Sequence, residues 1–74
     1  MTLKNMRNKA GLTQVSLAEL TGVSKRTIEH YESGYRNFDH ARLETLCKVA
    51  KALNCTVADL LTDKELKKLY EEVK

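Results

Sequence analysis

Residues 24–34, SKRTIEHYESG, concentrate side chains able to grip a charged partner: Lys25, Arg26 and His30, with Glu29 and Glu32 among them. Helical spacing sorts them by direction. At about 100° per residue from Ile28, Tyr31 falls near −60° and Glu32 near +40°, which makes an inward face. Arg26, His30 and Ser33 fall near 160°, 200° and 140°, which makes an outward stripe, with Thr27 and Glu29 on its flanks and Lys25 in the first turn. A basic outward stripe suits an anionic partner.

Other chemistries find no residues in the right pattern. There is no nucleophile–base pair, no glycine-rich phosphate loop and no clustered ligand set, so neither an enzyme nor a metal or cofactor site is expected. Cys47 and Cys55 are eight residues apart and His30 and His40 do not stand at zinc spacing from them, so they read as two small semi-buried thiols of a reducing compartment. The charge is lopsided. Residues 1–36 carry six basic side chains against three acidic ones, while residues 37–74 carry seven of each, so the whole net charge of +3 lies in the first half. No apolar run approaches a membrane span, and the opening MTLKNMRNKA is already charged and periodic rather than leader-like. A cytoplasmic protein without a membrane partner is expected.

The elements that must position the stripe are helical. A chain of 74 residues is one domain at most. Proline is absent and no alternating strand pattern occurs. Leu3, Met6 and Ala10 fit one face of a first helix over about 2–10, stopped by Gly11. Thr13 suits an N-cap for a second helix over 14–21. Gly22 supplies a left-handed turn residue, Val23 closes the corner, and Ser24 caps a third helix over 25–33 ended by Gly34. After YRNFD, Asp39 suits the N-cap of a fourth helix over about 40–53, with Leu43, Leu46, Val49 and Leu53 as core. Asn54 takes a left-handed exit. Thr56 with Asp59 resembles a capping box for a short helix through Leu60 and Leu61, and Thr62 with Glu65 repeats that signal. Leu66, Leu69, Tyr70 and Val73 stripe a last helix over 63–74. The sum is an all-α bundle of five or six helices, with residues 1–62 as the main domain and 63–74 as an amphipathic helix for packing or dimerisation.

The stretch TQVSLAELTGVSKRTIEHYESG, with LKNMR before it and LETLCKVAKALNCTVADLL after it, resembles the Cro/C1-type (xenobiotic-response-element) helix–turn–helix family over about residues 3–61. That resemblance implies the lambda-repressor-like fold, a helix–turn–helix at 14–33, and a homodimer on a double-stranded DNA operator with no small-molecule ligand. The third helix would enter the major groove with its N-terminal residues on base edges. Base readers would then be Lys25, Arg26, Thr27 and His30; Arg26 suits guanine, whose O6 and N7 match the guanidinium fork. Phosphate contacts would come from Thr13, Gln14 and Ser24 at helix starts and from Tyr35, Arg36 and Asn37 in the loop. The family often pairs an arginine of the first helix with the glutamate of the third, which implies an Arg7–Glu32 ion pair. Two departures from the family pattern lie in one place. The usual proline after the third helix is missing, and Gly34 to Leu43 is about three residues longer, which reads as added length at the start of helix 4. The alternative is the same fold used as a protein-interaction module, antitoxin-like or partner-docking.

Overall fold

The computed structural model describes residues 2–73, so Met1 and Lys74, the ends of the two expected segments, lie outside the described residues. Among the described residues there are six α-helices and one 3₁₀ turn: α1 Leu3–Lys9, α2 Gln14–Thr21, α3 Lys25–Ser33, the turn Phe38–His40, α4 Leu43–Leu53, α5 Val57–Leu60 and α6 Lys64–Val73.

Most helix ends are set within three residues of themselves. Thr2, Thr13, Ser24 and Thr56 each have extended backbone at the N-cap and accept an amide hydrogen from the residue three further on. Each such cap stabilises its helix by about 1 kcal/mol. Thr56 and Asp59 close a full capping box. The turn between α2 and α3 needs positive φ, and Gly22 supplies it at 74°, where a side chain would be strained.

The core is one cluster. Leu17, Ile28, Val49 and Leu60 are its fully buried members, one each from α2, α3, α4 and α5. α2 packs on both α3 and α4, α4 on α5, and α1 on α3. Tyr31 meets Phe38 edge to face at 5.0 Å and 70°, which seats the post-α3 loop against the core. Burying each large aliphatic side chain contributes about 1.5–3 kcal/mol. α3 is therefore held from beneath by Ile28 and Tyr31 and leaves its other side open.

The region after α3 departs from the sequence expectation. Helix 4 begins at Leu43 rather than at 40, and Arg42 in its N-cap position makes no side-chain cap bond. The added length forms the 3₁₀ turn instead, capped by Asn37 Oδ1 accepting from Asp39 N at 3.0 Å. Asp39 is not the cap of helix 4. Its buried carboxylate accepts from Thr62 N, Thr62 Oγ1 and Asp63 N, the last at 2.7 Å. Three donors at the α5–α6 junction outcompete the α4 amides, because a buried carboxylate settles where it is most fully hydrogen-bonded.

Smaller corrections follow the same local geometry. Leu43, expected in the core, is the first residue of α4 and 66% exposed. Thr62 does not cap α6; Asp63 Oδ1 accepts from Glu65 N and Leu66 N in its place, since the Thr62 hydroxyl is turned to Asp39. α1 stops at Lys9 and Ala10 is exposed. α5 stops at Leu60, with Leu61 as its extended C-cap. Cys47 is exposed and only Cys55 is half-buried.

Candidate nucleic-acid interface

α3 presents Lys25 and Arg26 to solvent from its first turn, with Thr27 and His30 half-buried on the same helix. Two of these side chains are tied locally. The Ser24 hydroxyl accepts from Thr27 N at 3.1 Å and donates to Thr27 Oγ1 at 2.8 Å. His30 stacks obliquely on Tyr35, ring centroids 4.7 Å apart. The Arg36 amide donates to the His30 carbonyl at 3.1 Å. So the loop after Gly34 folds back along α3, and Tyr35, itself 79% exposed, fixes the side of His30 while standing in solvent.

Behind this face lies a charged joint. Arg7 Nε donates to Glu32 Oε2 at 2.7 Å and Arg7 Nη2 to Glu32 Oε1 at 3.0 Å, a bidentate pair between α1 and α3. Their side chains are only 10% and 5% exposed. Arg7 Nη1 also donates to the Leu12 carbonyl at 2.8 Å, which fixes the α1–α2 connection. The bond to Glu32 raises the Arg7 pKa further above its ordinary value, with burial acting the other way. The Arg7 guanidinium keeps its charge across ordinary pH.

Gln14 joins the same carboxylate: its Nε2 donates to Glu32 Oε1 at 3.1 Å. One amide hydrogen at the start of α2 is thus held by α3, and the second is left over. Gln14, Glu29, His30 and Ser33 line one shallow recess with Lys4. The start of α2 therefore lies beside the outward flank of α3. Thr13 keeps its hydroxyl on Ser16, accepting from the amide at 3.0 Å and pairing with its hydroxyl at 2.9 Å.

Three residues missed from the sequence, His40, Arg42 and Thr45, lie on the other flank beside the expected Thr27, Arg36 and Asn37. Thr27, Arg36, Asn37, His40, Arg42 and Thr45 surround an open recess between α3 and the start of α4. Arg36, Asn37, His40 and Arg42 are exposed. The signal was present as His40 and Arg42 close behind Arg36, but expecting helix 4 from residue 40 set those two at different angles around a helix. Among the described residues no group of His, Cys, Asp and Glu is arranged to hold a metal ion, and no helix is long and apolar enough to cross a membrane.

A helix–turn–helix with a buried joint behind it and basic side chains on its open face defines a class, that of the DNA-binding transcriptional regulators. A family model described as Helix-turn-helix matches residues 3–60, and the chain belongs to the Cro/C1-type helix–turn–helix family. It is 38% identical over 55 residues to the Competence pilus inhibition repressor of Acinetobacter baylyi, covering 74% of this chain and 47% of that protein. It is 40% identical over 65 residues to Control protein C.SmaI of Serratia marcescens, covering 88% of this chain and 74% of that protein. The chain thus spans about half the length of the first relative and three-quarters of the second. No solved structure matches it significantly.

Proposed function

We propose that this chain is a sequence-specific double-stranded DNA-binding transcription regulator of the cytoplasm, a binding protein rather than an enzyme, and works as a homodimer. The observation that carries the reading is the open face of α3: Lys25 and Arg26 are exposed in its first turn while Ile28 anchors the helix from behind. In the major groove, Arg26 and Lys25 read base edges, and His30, braced by Tyr35, reads deeper along the helix. Thr27 contributes its methyl group or a shared hydroxyl. Gln14 donates its second amide hydrogen to a phosphate while Glu32 holds the first. Thr13, Ser24, Tyr35, Arg36 and Asn37 lie along the backbone, and the recess adds His40 and Arg42. Phosphate contacts set register and base contacts set sequence.

One module makes limited contact, and two half-sites about one helical turn apart supply specific affinity. The names of the two relatives, a repressor and a control protein, agree with regulation. Selection of bound duplexes from a randomised pool tests the reading. A two-fold-symmetric motif should be enriched. Failure to enrich any duplex, at low salt as well, overturns it.

A further inference from the structure

One acid stands on the open side of α3. Glu29 is exposed and falls about 100° from Ile28, on the flank nearer the start of α2. It lines the shallow recess that Gln14 and His30 also line. On a face that docks against phosphates, a carboxylate is repelled and opposes binding, unless it meets a hydrogen-bond donor.

Helical spacing offers Glu29 two cations of its own helix, Lys25 four residues back and Arg26 three back. Neither takes it: the ion pairs among the described residues are Arg7–Glu32 and Lys48–Glu44. The other donors of the recess are engaged by the next carboxylate along. Arg7 binds Glu32 through two nitrogens, and Gln14 binds it through one. Glu29 therefore keeps its acceptor oxygens for whatever α3 meets.

The major groove offers few donors. They are the exocyclic amines, N4 of cytosine and N6 of adenine. Adenine N6 stands between two acceptors, its own N7 and the thymine O4. Cytosine N4 has one acceptor at its side, guanine O6, and that atom is the one an arginine or lysine engages. A carboxylate set among basic side chains on one helix thus suits G·C pairs, with the cation on guanine and the acid on cytosine. From Arg26 to Glu29 the helix advances about 4.5 Å, one to two base-pair steps of about 3.4 Å.

We propose that Glu29 is a specificity-determining residue that accepts a hydrogen bond from N4 of a cytosine, about one or two base pairs from the guanine that Arg26 contacts. The assignment rests on α3 as the major-groove helix and gives a role to the acid on its open side. Glu29 acts by rejection as well as attraction, because guanine and thymine turn acceptors toward it. It lowers affinity for duplexes in general and raises discrimination at one position.

Base profiles of wild type, E29A and E29Q test this. Fluorescence anisotropy is measured on the duplex that wild type selects, on its single-base variants and on an unrelated duplex, with far-ultraviolet circular dichroism to verify folding. The position is exposed and both replacements are strong helix formers. Wild type should prefer cytosine at the Glu29 position by about five- to fiftyfold. E29A should lose that preference alone, keep discrimination at the Arg26 guanine, and bind the unrelated duplex more tightly. E29Q should shift the preference toward adenine, whose N6 and N7 match the amide. An E29A profile of unchanged shape, whether at equal affinity or tightened by one factor on every duplex, overturns the proposal, as does E29Q with the full wild-type preference for cytosine. Wild type that discriminates at no position would instead overturn the DNA-reading assignment of α3.

Discussion

Glu32→Leu removes the acceptor for two Arg7 bonds and one Gln14 bond, at 2.7, 3.0 and 3.1 Å. Arg7 then keeps only the Leu12 carbonyl as a partner, with its charge nearly enclosed. Arg7→Met leaves the mirror-image problem, a carboxylate 5% exposed whose remaining donor is the Gln14 amide. Breaking a buried pair from one side costs about 3–5 kcal/mol. The joint lies at the edge of a small domain, so each single change should cost about 3 kcal/mol, the low end of that range. A chain of 74 residues has a total stability of about 4–11 kcal/mol, so each single variant stands close to unfolding. Replacing both together orphans no charge and should cost about 0–2 kcal/mol. Urea unfolding followed by circular dichroism measures this, with slopes near 1 kcal/mol/M expected at this size. Single variants should lose up to about 3 M in midpoint, and the double should recover most of it. Losses in the double equal to the sum of the singles, within about 0.5 kcal/mol, would refute the joint as a coupled unit. The Arg7 pKa is raised in the fold, so its contribution is full below the ordinary arginine value and is lost only at extreme alkalinity.

Other outcomes follow from single contacts. Asp39→Ala should cost about 2 kcal/mol and speed hydrogen exchange at Thr62 and Asp63 while the α2 and α3 amides stay protected; uniform loss of protection would contradict a local clamp. Thr56→Ala should cost about 1 kcal/mol by removing a cap. Its bonds with Thr56 hold the Asp59 carboxyl below the usual range, so the stability they provide is present at neutral pH and fades as pH falls through that lowered value. Stability of Asp59→Asn, which removes the titrating carboxylate that the Thr56 amide donates to, should accordingly fall less steeply in acid than that of wild type, and parallel acid limbs would argue against the box. Burial, and then Asp59, push the Cys55 thiol up, while Cys47 is exposed. Alkylation at mildly alkaline pH should modify Cys47 first, a sequence readable by peptide mass spectrometry. Operator affinity should fall steeply with salt, with a log–log slope of about −4 to −5 per protomer if about five phosphates are neutralised.

What the sequence made legible was whatever closes within one helical turn. Thr13, Ser24 and Thr56 cap residues three positions on, and Gly22 and Gly34 turn where their own φ allows. Asp39 stood in the right place to cap helix 4 by the same local rule, yet its partners are 23 and 24 residues away. No spacing rule reaches that far. Leu43 failed similarly: its angle on α4 continues the buried stripe, but burial depends on what lies opposite. The stripe of α6 divided for that reason too, with Leu66 and Tyr70 packed and Leu69 and Val73 open. At the candidate interface, residue types and outward direction on α3 were readable from helical angle. The lateral contacts were not, neither His30 on Tyr35 nor Gln14 on Glu32, because side-chain partners are set by tertiary approach rather than by periodicity.

The most direct measurement on the central claim is fluorescence anisotropy of wild type and Arg26→Ala on the selected duplex and on each of its single-base variants. Arg26 is exposed, so the substitution should leave the fold intact. Wild type should lose about 1–3 kcal/mol at the guanine that Arg26 contacts, and Arg26→Ala should bind more weakly and no longer discriminate at that position alone. Equal binding of all duplexes by wild type, or an unchanged base profile in Arg26→Ala, would contradict α3 as the reading element.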